Sequence, residues 1–280
     1  MSPKSARFYA TALATVWLGL VACKSDQSDQ AQPAAEAQAP AAPNPAPTQE
    51  DKLVVFAATS LRDAFGNISE MFKASHPGVE VTFNFAGTQE LRTQLEQGAA
   101  VDVFASADQK HMGELVKAGR TSAPVLIARN EPVIVVAKEA TQTIHGLADL
   151  PTAARLVIGT PEVPIGRYTL QILDKATSSF GADFRSRVEA KVVSRELNVR
   201  QVLTKVKLGE AEAGFVYRTD AKSAPELSVL TIPADANVIA EYPIALVSGA
   251  QHPELAKAWV ELVRSDAGQS ALQGAGFLAP

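Results

Sequence analysis

Cysteine is all but missing from this chain: 280 residues contain one, Cys23. The sequence after it has no internal disulfide, no thiolate metal site and no cysteine nucleophile, so its stability rests on the hydrophobic core. The roughly 230 residues that can fold suffice for one large core or two smaller ones. A basic excess is missing too. The formal net charge is −4 with 46% hydrophobic residues, a globular composition lacking the positive field that drives non-specific nucleic-acid binding. No nucleic-acid partner is expected. The four histidines (His76, His111, His145 and His252) include no pair at metal-ligand spacing, so no directly ligated metal is expected. Neither a transmembrane run nor an internal repeat follows residue 23.

What is present begins with an export signal. Lys4 and Arg7 precede an apolar, small-residue-rich run from Phe8 to Ala22, too short for a comfortable membrane span and suited to a secretory signal. It ends in Leu20-Val21-Ala22-Cys23, which resembles the lipobox of bacterial lipoproteins. That resemblance implies a signal peptide over 1–22, a lipid on Cys23 and a membrane-anchored protein of the cell envelope, on its periplasmic or extracytoplasmic face. Residues 24–50 contain no Val, Ile, Leu or aromatic residue and cannot offset their ordering entropy. With Pro40, Pro43, Pro45 and Pro47, the segment 23–51 reads as a disordered, semi-stiff tether.

From residue 52, strand and helix patterns alternate. Strands are expected at 53–57, 79–85, 101–105, 133–137, 156–159, 190–193, 213–216, 227–232 and 242–247. Helical spacing groups Leu61, Phe65, Ile68 and Phe72; Leu91 and Leu95; Met112, Leu115 and Val116; Val199, Val202, Leu203 and Val206; and Leu255, Trp259, Leu262 and Val263. The alternation implies an α/β architecture with mostly parallel sheet.

In open α/β sheets ligands bind beyond the carboxyl ends of the strands, where helices begin. Four helix starts carry small, hydroxyl, amide or glycine residues: Thr59-Ser60, Gly87-Thr88, Ile165-Gly166 and Asn198-Val199. Taken singly, Ser60, Thr88 and Asn198 are ordinary N-caps. Taken together, they are several N–H-rich, positive helix ends able to hold one anion.

The segments "FAATSLRDAF", "FAGTQELRTQLEQGAAVDVFASAD", "PEVPIGRY", "ELNVRQVL", "AGFVYRTDA", "EYPIALV" and "GFLAP" occur in this order across residues 52–280. As a set they resemble the molybdate-binding receptors of bacterial molybdate ABC transporters. The resemblance implies a two-lobe, venus-flytrap fold of the type II periplasmic-binding class with two crossover strands. One lobe would hold 52–128 plus 233–280, the other 129–232. It implies a tetrahedral dianion, molybdate or tungstate, held by the hydroxyls of Ser60 and Thr88, the backbone N–H groups of Ile165 and Val199, and the phenol of Tyr217. Thr59, Gly87, Arg167 and Asn198 are expected as cleft neighbours. It further implies a monomer that needs no other cofactor and serves a permease and ATPase partner. Ile165 is larger than the family's usual alanine, and the loop before Val163 is one residue shorter.

Arg167 and Arg200 either add positive potential at the site or are solvated first-turn residues. Asp102 and Asp108 are expected to stabilise the next helix and to turn away from an anion. An enzyme is the competing class, but no G-x-S-x-G elbow surrounds Ser60. The related two-lobe fold of hydroxymethylbilane synthase needs a cysteine that the mature chain lacks. Two further readings of the same fold stay open: a receptor for sulfate or a phosphate-like oxyanion, and a ligand-sensing or interaction lipoprotein.

Overall fold

The computed structural model describes residues 52–280; the signal peptide, Cys23 and the tether lie outside the described residues. In chain order the strands are β1 (Lys52–Ala58), β2 (Glu80–Ala86), β3 (Val103–Ala105), β4 (Val125–Asn130), β5 (Pro132–Val136), β6 (Leu156–Gly159), β7 (Val192–Glu196), β8 (Ala213–Tyr217), β9 (Ser228–Thr231) and β10 (Ala240–Leu246). The α-helices are α1 (Arg62–Ser75), α2 (Thr88–Glu96), α3 (Gln109–Lys117), α4 (Pro164–Phe180), α5 (Phe184–Glu189), α6 (Val199–Lys207), α7 (Arg218–Lys222), α8 (Pro253–Arg264) and α9 (Asp266–Gly274).

Two five-stranded sheets result, ordered β2-β1-β3-β10-β4 and β7-β6-β8-β5-β9. In each, four strands run one way and a single strand, β10 or β5, runs against them, giving two parallel and two antiparallel pairings. Both sheets are therefore mixed, with strands of one direction in the majority as expected and one reversed strand in each. The cause is the chain crossing. It passes from β4 into β5 through Glu131 alone and returns between β9 and β10. Strands entering from the other sheet do not need the helical crossover that enforces parallel pairing.

The apolar spacing along the helices becomes packing. Phe65, Ile68 and Phe72 of α1 are fully buried, and the Trp259 ring of α8 meets Phe65, Phe72 and Phe83 edge-on at centroid distances of 5.5, 5.5 and 5.6 Å. Such pairs contribute beyond their buried area. A second core lies under the other sheet, around Ile134, Ile158, Ile172 and Phe184. On α3, Met112 and Leu115 are buried but Val116 is exposed, so Val116 does not belong to the packed face.

Two differences from the sequence expectation concern edges. Strand β4 is absent from the apolar pattern: its sequence, VLIARN, is half-buried and ends in polar residues, and β10 is its only neighbour in the sheet. Strand β7 runs on through Ser194-Arg195-Glu196, past the valines that mark it, because an edge strand needs little apolar surface.

The parallel strands place the site. The carboxyl ends of β1, β2 and β3 lead to Thr59, Gly87 and Ala107; those of β6, β7 and β8 lead to Pro164, Asn198 and Arg218. The helix starts of both sheets thus converge on one cleft.

Candidate functional site

Ser60, Thr88, Ile165, Val199 and Tyr217 line a single cavity, together with Thr59, Gly87 and Asn198. Residues from both sheets contribute. Ala58, Ala86, Ala107, Val163 and Pro164 complete the wall, and no charged side chain is in it. The space between atoms is ≈ 210 Å³, part of it open to solvent.

Each wall element is aimed by a local feature. Pro164 occupies the first position of α4, where its fixed φ and missing N–H are favourable. The next N–H, that of Ile165, is one of the donors a helix start leaves without an intrahelical partner. The Ile165 side chain is itself buried in the core. Gly166 allows this start to sit on the end of β6: a Cβ there would lie 2.0 Å from the Thr160 carbonyl oxygen and 2.5 Å from that of Gly159. Asn198 caps α6 by accepting the Gln201 N–H at 3.0 Å, which leaves Val199 in the first turn. Gly87 caps α2, and its N–H donates to the Glu90 carboxylate at 3.1 Å. Three helix N-termini, of α2, α4 and α6, thus face the cavity with their positive ends.

Of the three residues that read singly as caps, only Asn198 makes a cap bond. Ser60 lies in a tight 3₁₀ turn, Thr59–Leu61, with no capping bond; its Oγ is 2.9 Å from the Tyr242 hydroxyl. Thr88 is the first residue of α2, and its Oγ1 accepts the Ala107 N–H at 3.2 Å. A hydroxyl that accepts from the protein keeps its own proton to give. Thr59 is buried in the wall but makes no capping bond.

Tyr217 supplies the most direct signal. It is 1% exposed, and its hydroxyl has no hydrogen-bond partner among the described residues. Burial raises its pKa well above the ordinary value, with Tyr242 and Tyr168 nearby adding to the shift, so the phenol stays a neutral donor. The ring is held edge-on between Tyr168 at 6.5 Å and Tyr242 at 5.9 Å.

The nearby charges are outside this wall and engaged with one another. Arg167 is not in the cavity lining; its Nη2 donates to the Asp108 carboxylate at 2.6 Å. Arg200 is 2.6 Å from both Asp63 and Asp220 and also donates to Ser223 Oγ. Both arginines are half-buried and ion-paired, and neither lines the cavity. Arg167–Asp108 and Arg200–Asp63 each join an element of the second sheet to one of the first. Asp108 also caps α3 through the His111 N–H at 2.8 Å. Asp102, expected to serve the next helix, instead accepts the Val54 and His252 N–H groups. His111 Nε2 lies 2.9 Å from the Glu162 carbonyl oxygen. Among the described residues no group of His, Cys, Asp and Glu could hold a metal ion, and no helix is long and apolar enough to cross a membrane.

Asp220 carries a testable pH dependence. Burial raises its carboxyl pKa to about 6, against the opposing pull of Arg200. A pKa raised by folding means that the native state binds the proton more tightly. The associated stability is complete below the ordinary carboxylate range and is lost as pH rises through about 6. A shift of this size corresponds to at most about 3 kcal/mol. Urea midpoints of wild type and Asp220→Asn, compared from pH 4 to 7, should therefore drift in favour of the variant as pH rises. A constant difference would refute the assignment.

Tyr242 and the Ala107 N–H are the hydrogen-bond partners of Ser60 and Thr88, contacts that the sequence alone does not assign. Tyr242 is 182 residues from Ser60, and no local pattern marks the pairing.

Comparison with known proteins places this arrangement. Residues 53–278 match the family described as "Bacterial extracellular solute-binding protein". The molybdate-binding protein ModA of Mycobacterium tuberculosis is 41% identical over 266 residues, covering 94% of each chain. Among solved structures, the periplasmic molybdate-binding protein of Azotobacter vinelandii superposes with a TM-score of 0.70 at 18% identity, over 81% of this chain and 99% of that one. The sulfate-binding protein SubI of M. tuberculosis does so with 0.72 at 18%, over 81% and 86%. At such identities the structures establish the two-lobe fold and nothing narrower. With the family match spanning nearly all described residues, this chain belongs to the bacterial extracellular solute-binding proteins.

Proposed function

We propose that this protein captures molybdate, and tungstate with it, outside the cytoplasmic membrane and delivers it to an ABC transporter permease and ATPase. The carrying observation is a cavity walled by neutral donors from both lobes, with the buried Tyr217 hydroxyl left unpaired. The name of the 41%-identical relative points the same way.

The chemistry fits the ligand. Molybdate at neutral pH is a dianion with acceptors only. Hydrogen phosphate would bring a proton that finds no acceptor, and a buried unpaired polar group costs about 1–3 kcal/mol. Sulfate offers the same acceptors on a smaller body, so cavity size must discriminate. Because donors come from both lobes, the bound anion favours the closed cleft. The anion is held without being transformed; in this reading the protein is no enzyme, needs no cofactor, acts as a monomer and binds no nucleic acid. A lipid on Cys23 would keep it at the membrane.

Isothermal titration with molybdate, tungstate, sulfate and phosphate tests this. Molybdate and tungstate should bind with similar affinity, and sulfate and phosphate at least roughly tenfold more weakly, a difference of about 1.4 kcal/mol. Tighter binding of sulfate or phosphate would overturn the substrate assignment.

A further inference from the structure

We propose that Tyr242 is a positioning residue for the cavity, fixing the Ser60 hydroxyl as a donor through a hydrogen-bond chain that starts at the crossing between the sheets. The inference rests on the reading of the cavity as an oxyanion site.

The direction of the chain follows from Asn130, the last residue of β4, which is fully buried. Its Oδ1 accepts the Glu131 N–H at 3.0 Å. A backbone N–H can only donate, so this bond settles which end of the amide is oxygen. The NH₂ group must then face the other way, where it meets Thr219 Oγ1 at 2.9 Å and the Tyr242 hydroxyl at 3.5 Å. Tyr242 is offered only donors by Asn130, so its own proton goes to Ser60 Oγ at 2.9 Å. Ser60 therefore accepts from behind, and its proton is left to the cavity that it lines. Tyr242 is itself fully buried, stacked edge-on against Tyr217 and Phe277 at 5.9 and 5.1 Å, so its hydroxyl has little freedom to move elsewhere. The geometry matches that of Thr88, whose hydroxyl accepts from the Ala107 N–H. Ser60 and Thr88 are thus each supplied with an internal donor that turns the hydroxyl proton toward the ligand.

A positioning role separates Tyr242 from a residue that merely packs. Tyr242→Phe keeps the ring and removes the hydroxyl; if the hydroxyl acts through Ser60, its loss should matter only while Ser60 is present. Affinities of wild type, Tyr242→Phe, Ser60→Ala and the double variant are measured by titration with whichever of molybdate, tungstate, sulfate or phosphate wild type binds most tightly. Tyr242→Phe should weaken binding about five- to tenfold and Ser60→Ala more. In the Ser60→Ala background, adding Tyr242→Phe should change affinity by less than about twofold. Multiplying effects, or no effect of Tyr242→Phe alone, would overturn the relay and leave the oxyanion reading intact. A wild type that binds none of the four anions would overturn both. Circular dichroism checks that each variant is folded; should Tyr242→Phe not fold, Asn130→Ala enters the same cycle and should show the same dependence on Ser60.

Discussion

Gly87→Ala is expected to leave the ligand-free protein as stable as wild type while weakening molybdate binding about ten- to a hundredfold. Gly87 has φ −61° and ψ 139°, a conformation alanine adopts freely, so the backbone does not resist the substitution. The obstacle lies across the cleft. An added Cβ would sit 2.3 Å from the Leu197 carbonyl oxygen, a backbone atom of the opposite lobe. It would also press on the Gln89 side chain, whose Nε2 donates to that same carbonyl at 2.7 Å. A side chain can swing aside, but the carbonyl is fixed to the start of α6, so relief requires the lobes to part. Forced contacts of this kind cost about 1–3 kcal/mol, and here the cost falls on the arrangement that holds Gly87 against Leu197. Thermal melts without ligand should differ little; titration and the ligand-induced shift in Tm should both fall. Unchanged affinity would mean that binding does not bring Gly87 against Leu197.

Tyr217→Phe should move stability and affinity in opposite directions. The buried Tyr217 hydroxyl lacks a partner among the described residues, so the folded protein carries its desolvation without return. Removing it should leave the ligand-free Tm unchanged or raised. The same change deletes a donor to a dianion, and hydrogen bonds to charged groups contribute about 1.5–3 kcal/mol, so molybdate affinity should fall by roughly ten- to a hundredfold. A phenol that serves packing would show the reverse: lower Tm and intact binding. Because the ring persists in phenylalanine, the edge-on contacts with Tyr168 and Tyr242 remain in both cases.

How much of this is legible in the sequence depends on distance along the chain. The alternation of strands with amphipathic helices is a local pattern, and it yields the α/β class and most element positions. The wall of the site is also legible, since each part sits where a strand hands over to a helix, and the family resemblance supplies their convergence. What sets the direction of each proton is not. Ser60 and Tyr242 are 182 residues apart, Arg200 and Asp63 137, Arg167 and Asp108 59. Such pairs form only when two separate segments are brought together by the sheets, and hydroxyls at helix starts look like caps until they are. For the same reason the arginines admit only two readings in the sequence, exposed or ligand-facing, when their carboxylate partners lie in distant segments. The reversed strand in each sheet escapes because it depends on where the chain crosses, and the first crossing is a single residue, Glu131, with no compositional mark.

That crossing has a further consequence, for the order in which the molecule can assemble. The second sheet is built wholly from residues 132–231, an uninterrupted stretch. The first needs β10, residues 240–246, which lies between β3 and β4 and bonds to both. Until that late segment arrives, β4 has no strand to pair with, and the sheet that begins at the amino end of the fold cannot close. Non-local pairing of this kind carries a larger entropic barrier than contacts made within one stretch. Although domains generally mature from the amino end as a chain is made, here the middle of the chain is the part equipped to finish first, and the lobe that starts earliest is completed last.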